Sequence, residues 1–196
     1  MLRQLACLMV SFICTGCTSM GRADTKIEAP DKNQSIFVIG LTPENHRIGV
    51  FGGSEKDGKF KQNWLPAVLY GGAQGGYIVG KAHAGATLAI TAVQVTENEK
   101  SLVGTDFQAC NGAKTVVFQV PPGKVIYLGS VDYRVNGKSL EVRYWNDLDG
   151  ARRYLSGAYP AIADRVEQGS YRLLPTDLTC EQNTTVYVPV YIPTSR

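Results

Sequence analysis

From Ser35 onward, short apolar runs alternate with clusters of Gly, Pro, Asn and Asp. This spacing is typical of antiparallel β structure, because each run is long enough for one strand and each cluster supplies a turn. We therefore expect a mainly β fold, an antiparallel β-sandwich of the immunoglobulin or transthyretin-like kind, with a barrel as the alternative. The predicted strands cover residues 36–41, 47–51, 60–64, 67–70, 77–82, 87–95, 115–120, 125–135, 140–145 and 186–192.

Composition limits the possible functions. The chain has 196 residues, of which 44% are hydrophobic, enough for one packed domain over residues 35–196. Its net charge of +3 is weak and dispersed, which argues against nucleic acid as a partner. With only two histidines, a His-rich metal site is excluded, and we expect no metal and no cofactor.

Two dipeptides predict hairpins. Asn136-Gly137 suits a type I′ turn that pairs Val135 with Lys138 and sets Asp132 opposite Glu141. In this register one face of the hairpin is apolar and the other is charged. Asp57-Gly58 predicts a second hairpin, which would place Phe51 opposite Trp64.

One helical segment is expected near residues 147–168. Asn146 or Asp147 can cap it, and the apolar residues that follow recur at helical spacing. Pro160 ends this helix and can open a second short helix over 161–168.

The N-terminus determines the expected compartment. Arg3 precedes a short apolar segment, and Thr15-Gly16-Cys17 resembles the lipobox of bacterial lipoprotein signals, although Cys14 stands where that family usually has Leu. The resemblance implies a signal peptide over 1–16, lipidation of Cys17 and a location at the outer membrane, since Thr18 is not Asp. An ordinary signal peptide and a buried N-terminal helix are the alternatives. Residues 17–34 are polar and predict a flexible tether.

Cysteine usage agrees with an oxidising compartment. Once Cys7, Cys14 and Cys17 are assigned to the signal and its lipid, Cys110 and Cys180 remain. We expect these two to form a disulfide, and two separate buried thiols are the alternative.

Three other patterns could indicate a binding site. Aromatic residues that could form a platform for a glycan or a peptide are Trp64, Tyr70, Tyr77 and Trp145, although packing explains them better. The glycine-rich segment 71–76 is similar to a phosphate loop but lacks its full motif, so a hairpin tip is favoured. Pro189 marks the last strand as an edge strand, to which a partner strand could add.

Residues 120–129, with Tyr154-Leu155 and Tyr159-Pro160, resemble uncharacterised proteobacterial lipoproteins described as small β-sandwich domains. That family has no assigned catalytic residues. The resemblance therefore implies the fold and the compartment, and no reaction.

Together these patterns predict a non-enzymatic, lipid-anchored accessory or binding protein on the outer membrane, facing the periplasm. Its expected partners are the membrane, through the N-terminal lipid, and an envelope protein or a glycan. The alternatives are a cell-wall-modifying enzyme, in which His83 would converge with Asp or Glu side chains, and a purely structural envelope lipoprotein.

Overall fold

A computed structural model of the protein describes residues 21–23, 26–101, 103–181 and 186–191, the last of these as backbone. The predicted signal peptide and Cys17 lie outside the described residues. The expected mainly β sandwich with one short helical segment is confirmed. The elements are β1 (Gln34–Thr42), β2 (His46–Lys56), β3 (Lys59–Gln62), β4 (Leu69–Gly72), β5 (Tyr77–His83), β6 (Thr87–Thr96), β7 (Gly104–Gln108), β8 (Lys114–Gln119), β9 (Val125–Asn136), β10 (Ser139–Trp145), α1 (Leu148–Ala158), α2 (Pro160–Ala163), β11 (Val166–Gln168), β12 (Arg172–Pro175) and β13 (Val186–Tyr191).

The strands form two layers. The first layer runs β5-β1-β9-β10-β13, with β11 beside the start of β9. In the second, β2 pairs with β3 and β4 on one side and with β6 on the other, and β6 continues to β7, β8 and β12. Most pairs are antiparallel, but β1 with β9, β9 with β11, β10 with β13 and β7 with β13 are parallel.

Strand β13 connects the two layers. It pairs with β10 along its whole length, with Pro189 opposite Val142, and it meets β7 only where Val186 faces Gln108. The strand predicted as an edge therefore lies between two strands, although the side facing β7 carries a single pairing. Proline is tolerated in such a position because that side of the ladder is mostly unused.

Strand β1 shows how the layers pack. Phe37 and Ile39 point into the core between the two layers, where Phe37 lies 5.4 Å from the ring of Phe118. Ile36 and Val38 point the other way and pack against Leu155 and its neighbours in the two helices. The run is continuously apolar because both of its faces are buried.

The helices cover that outer face as the sequence predicts. Asp147 caps α1 by accepting a hydrogen bond from the Gly150 amide at 2.9 Å. The second helix is shorter than predicted: it ends at Ala163, and residues 166–168 form β11 instead. Val166 is buried against the sheet, and Gly169 donates its amide hydrogen to the Tyr127 carbonyl at 2.8 Å. Pairing with β9 therefore overrides the local helical pattern.

The β9–β10 hairpin has a different register from the predicted one. Asn136 pairs with Ser139, so the loop is Gly137-Lys138, and only Gly137 has a positive φ, at 61°. A glycine first in a two-residue loop is the type II′ pattern. Because the shift is two residues, the apolar face is unchanged. On the other face Asp132 lies opposite Arg143 and not opposite Glu141.

The second hairpin forms at Asp57-Gly58, as predicted, but it ends earlier. Strand β3 stops at Gln62, so Trp64 does not pair with Phe51 and is fully exposed. The buried aromatic residue is Phe60, because β3 curls over the outer face of the second layer. There Phe60 packs against Ala89, Val117 and Leu174.

The described part of the predicted tether lies on the domain. Ala23 donates its amide hydrogen to the Val79 carbonyl at 2.9 Å, and Ala23 and Ile27 are buried in the cluster beneath the helices. Gln34 already belongs to β1. Within the described residues of the predicted tether, these contacts lie on the domain surface and in its outer core, and the flexibility expected of residues 17–34 stays a prediction.

Candidate functional site

A cleft of about 290 Å³ opens at the end of the sandwich, where β2 begins and a glycine-rich turn joins β4 to β5. Its walls come from the start of the described chain, from β2, and from the segments that follow β4 and β6. Charged and polar residues at the cleft are Arg22, Glu44, Asn45, Arg47, Gln74, Thr96, Glu99 and Lys100. Cationic groups therefore converge here from three separate parts of the chain.

Arg47 is the most buried of these cations, with 7% of its surface exposed. Its Nη1 donates to Gln94 Oε1 at 3.1 Å and its Nη2 donates to the Ser101 carbonyl. The Tyr70 hydroxyl donates to the same Gln94 oxygen at 2.9 Å, which holds the acceptor in place. Among the side chains that the structure describes, no carboxylate oxygen lies within 4.0 Å of Arg47.

A buried guanidinium without a counter-ion is unfavourable, because burial removes its hydration and no negative charge replaces it. Arg47 uses two of its five N–H donors on neutral acceptors. The remaining donors and the uncompensated charge favour a negatively charged group at this place.

Arg22 adds further donors to the cleft. Its Nε and Nη2 atoms are buried and have no hydrogen-bond partner within the described chain. Tyr154 lies close enough to Arg22 and Glu44 for both charges to affect its pKa. Burial raises the pKa of Tyr154 to about 12, and the Arg22 charge opposes this rise. Chemically, the cleft presents unpaired guanidinium donors of the kind that bind carboxylates and phosphates.

The glycine-rich segment is a hairpin tip, as favoured from the sequence, and it also borders the cleft. Gln74 and Tyr77 exchange backbone hydrogen bonds of 2.9 and 3.2 Å around the turn Gly75-Gly76. Gly72 and Gln74 then form one wall beside Arg47. The segment therefore faces cations, although it does not open a helix as a phosphate loop does.

The aromatic residues of the predicted platform lie in different settings. Trp64 is exposed on the loop after β3, and Tyr70 bonds to Gln94 behind the cleft. Tyr77 stacks on Tyr154 at 4.8 Å beside α1, and its ring is part of the helix packing. Trp145, 37% exposed, borders a shallow depression on the outer face of β9 and β10. Tyr70 is the one among the four that supports the cleft.

The two cysteines that were expected to pair lie at disulfide distance. The Sγ atoms of Cys110 and Cys180 are 2.04 Å apart and their Cα atoms 5.8 Å apart. Asn111, which follows Cys110 in the sequence, also contacts Cys180: its Oδ1 accepts a hydrogen bond from the Cys180 amide at 3.1 Å. The bridge thus fastens the segment before β13 to the turn between β7 and β8.

The two histidines have different environments. His83 is exposed and borders a cavity of about 360 Å³ with Gln34, Val68 and Lys81. His46 is buried next to the cleft residue Asn45, whose Oδ1 lies 3.1 Å from His46 Nδ1. His46 Nε2 has no partner among the described atoms. Burial lowers the pKa of His46 below its ordinary value of 6.5, and the charge of Asp132 partly opposes this.

Stability is therefore expected to fall as the pH drops below 6.5, because the unfolded chain then binds a proton that folded His46 does not. From about one pH unit above that value both states are neutral at this residue, and the contribution is flat. His46→Gln should reduce the slope of the unfolding free energy against pH, between about pH 7 and about pH 5, by up to ~1.4 kcal/mol per pH unit. Urea unfolding across this range measures the slope. A slope in His46→Gln equal to that of the parent protein would contradict this assignment.

Within the part of the chain that the structure describes, no group of three or more His, Cys, Asp or Glu side chains could hold a metal ion. No helix in that part is long and apolar enough to cross a membrane.

Comparisons of the chain with protein-family models, with curated proteins and with solved structures found no match. The resemblance to proteobacterial lipoproteins therefore stays a prediction. The cleft and the expected anchor are the features of this chain that bear on its function.

Proposed function

We propose that this protein is a non-catalytic binding protein of the bacterial envelope, held at the outer membrane by a lipid on Cys17 and facing the periplasm. Its cleft captures an anionic group, a carboxylate or a phosphate, carried by an envelope protein, a glycan or another envelope molecule. One observation carries the binding role: Arg47 is buried at the cleft, and among the described side chains no carboxylate lies within 4.0 Å of its guanidinium.

The surroundings of Arg47 support a binding role over a purely structural one. A structural arginine at this depth would gain most from a carboxylate partner, because a neutral amide and a carbonyl leave its charge uncompensated. Gln94, Tyr70 and the Ser101 carbonyl instead orient the guanidinium while leaving donors free. Because the guanidinium is already oriented before a ligand binds, less side-chain entropy is lost on binding.

The rival proposal, a cell-wall-modifying enzyme, has weaker support. It requires His83 to converge with a carboxylate, since general acid–base catalysis needs groups within hydrogen-bond reach. The residues around the cavity beside His83 are apolar, neutral or cationic, and none of them is Asp or Glu. The cleft with Arg47 is therefore the better-supported site.

Anion capture can be tested with inorganic phosphate and acetate as probes. We expect the Arg47 and Arg22 Nε–H signals in ¹H–¹⁵N spectra to shift saturably as either probe is added. Arg47→Gln should weaken this binding about ten-fold or more, because a charge-assisted hydrogen bond contributes about 1.5–3 kcal/mol. The spectrum of each variant also reports whether it remains folded.

Arg152 provides the matched control. It is exposed on α1, where it pairs with Asp149 at 3.1 Å, and Arg152→Gln removes the same charge away from the cleft. This variant should bind the probes as the parent does. Arg22→Gln, at a less buried position, keeps the test decisive if Arg47→Gln does not fold. The binding proposal fails if the parent protein shows no saturable shift, or if the cleft variants and the control bind equally.

The anchor is tested separately with Cys17→Ala. Removing the thiol removes the acceptor for the lipid, so the protein should appear as a soluble species or as an uncleaved precursor. Fractionation of cells with and without detergent, followed by the mass of the N-terminal peptide, measures this. If the variant still fractionates as a mature species that requires detergent, the lipid is not on Cys17.

A further inference from the structure

The loop between β3 and β4, residues 63–68, presents an exposed apolar pair that no part of the described fold covers. Trp64 has 103% of its reference surface exposed and Leu65 has 67%. Neither residue contributes to the core clusters beneath the sheets or the helices. Tryptophan combines a large apolar ring with an N–H donor, which suits the boundary between acyl chains and headgroups of a bilayer.

The start of the described chain lies at the base of this loop. A Cβ atom at Gly21 would overlap the carbonyl oxygen of Val68, so the two backbones are in direct contact and only glycine fits. Val68 is the last residue of the loop, and its amide donates to the Val50 carbonyl at 2.8 Å. Gly21, four residues after Cys17 in the sequence, therefore lies directly beside the loop that carries Trp64.

Chain length then limits how far the membrane can lie from the loop. Cys17 precedes Gly21 by four residues, and Trp64 precedes Val68 by four residues. Four extended residues reach about 14 Å at most. A lipid on Cys17 would hold the bilayer surface within that reach of Gly21, and the loop length places Trp64 no farther than this from Val68.

Charge agrees with a membrane as the occupant. Lys61, three residues before Trp64, is exposed, and Lys81 is exposed beside Val68. The nearby carboxylate of Glu55 is engaged by Arg172 and does not cancel them. Lysines beside an interfacial tryptophan are attracted to anionic headgroups.

We propose that Trp64 and Leu65 insert into the leaflet that holds the lipid anchor, so that the domain lies on the bilayer surface and does not hang free on a tether. This inference rests on the proposed lipid on Cys17. The anchor keeps the loop close to the membrane, which raises its effective concentration there and makes a small apolar contact sufficient. A stable membrane attachment commonly needs two such signals.

Trp64 is itself the probe for the test, because the chain has two tryptophans and Trp145→Phe leaves Trp64 alone. The mature lipidated protein carrying Trp145→Phe is reconstituted into vesicles of phosphatidylethanolamine and phosphatidylglycerol. Trp64 emission should shift to shorter wavelength, be quenched by brominated acyl chains, and lose its quenching by aqueous iodide. The matched Trp64→Phe variant, which reports Trp145, should show none of these changes.

Each other outcome overturns the insertion. In one such outcome the protein floats with the vesicles and carries the lipid by mass while Trp64 stays accessible to iodide. This result contradicts the insertion and is consistent with the anchor. A mature N-terminus without lipid removes both proposals. A blue shift that grows with protein concentration in the absence of vesicles, with no quenching by brominated lipid, assigns the loop to contact between two copies.

Discussion

Replacing both Cys110 and Cys180 with alanine is expected to lower the free energy of unfolding by about 4 kcal/mol. The bridge spans a sequence separation of 70 residues, and closing a loop of that length removes much of the conformational freedom of the unfolded chain. Cys110 is fully buried, and alanine leaves no unpaired polar group in its place. The loss should be concentrated near β13, since the bridge fastens the segment that precedes this strand.

Urea unfolding of the parent and of the double variant measures the difference, with the single variants Cys110→Ala and Cys180→Ala as controls. Because one bridge is lost in every case, each single variant should lose about as much as the double variant, and the losses should not add. A loss below ~1 kcal/mol, well under the usual range for secreted domains, would contradict the expected role. Two free thiols on protein taken from the periplasm would contradict the bridge itself.

The strands that could be predicted from the sequence are those with strong local signals. β1 is one, because its unbroken apolar run requires burial on both faces. In the β9–β10 hairpin the alternation fixed which residues are buried, but it could not fix the register. A shift of two residues keeps the same faces, so Gly137-Lys138 and Asn136-Gly137 are equally compatible with the pattern.

The strands that sequence reasoning missed depend on their neighbours. β7 contains Phe107 as its one buried apolar residue, and β12 is four residues long and ends in Pro175. Neither has the length or the alternation that indicates a strand. The sequence predicts a helix at β11 because Val166 fits the helical spacing, and only pairing with β9 makes this segment a strand. Such elements form through tertiary contacts that no local pattern contains.

The cleft was missed for a similar reason. Arg47 opens a strand beside a turn, where a charge usually points into solvent, and Arg22 stands in a segment that reads as a tether. The one signal in the sequence is the glycine-rich segment 71–76, which is similar to a phosphate loop. The structure sets Gly72 and Gln74 of that segment beside both arginines. Side chains from distant segments meet there because the N-terminal residues pack on β5, which the sequence does not indicate.

Phe60→Ala is expected to lower the free energy of unfolding by about 3–5 kcal/mol, whereas Trp64→Ala should change it by no more than ~0.5 kcal/mol. Phe60 is fully buried where β3 curls over Ala89 and Val117, so truncation leaves a cavity. Trp64 touches no core residue, and its loss removes no packing. Urea unfolding of the two variants, with near-ultraviolet circular dichroism as the readout, compares them. Equal losses would mean that the aromatic pair expected from the sequence, Phe51 with Trp64, forms after all. An unchanged Trp64→Ala variant would instead show that Trp64 is available for a role outside the fold, which is what insertion into the membrane requires.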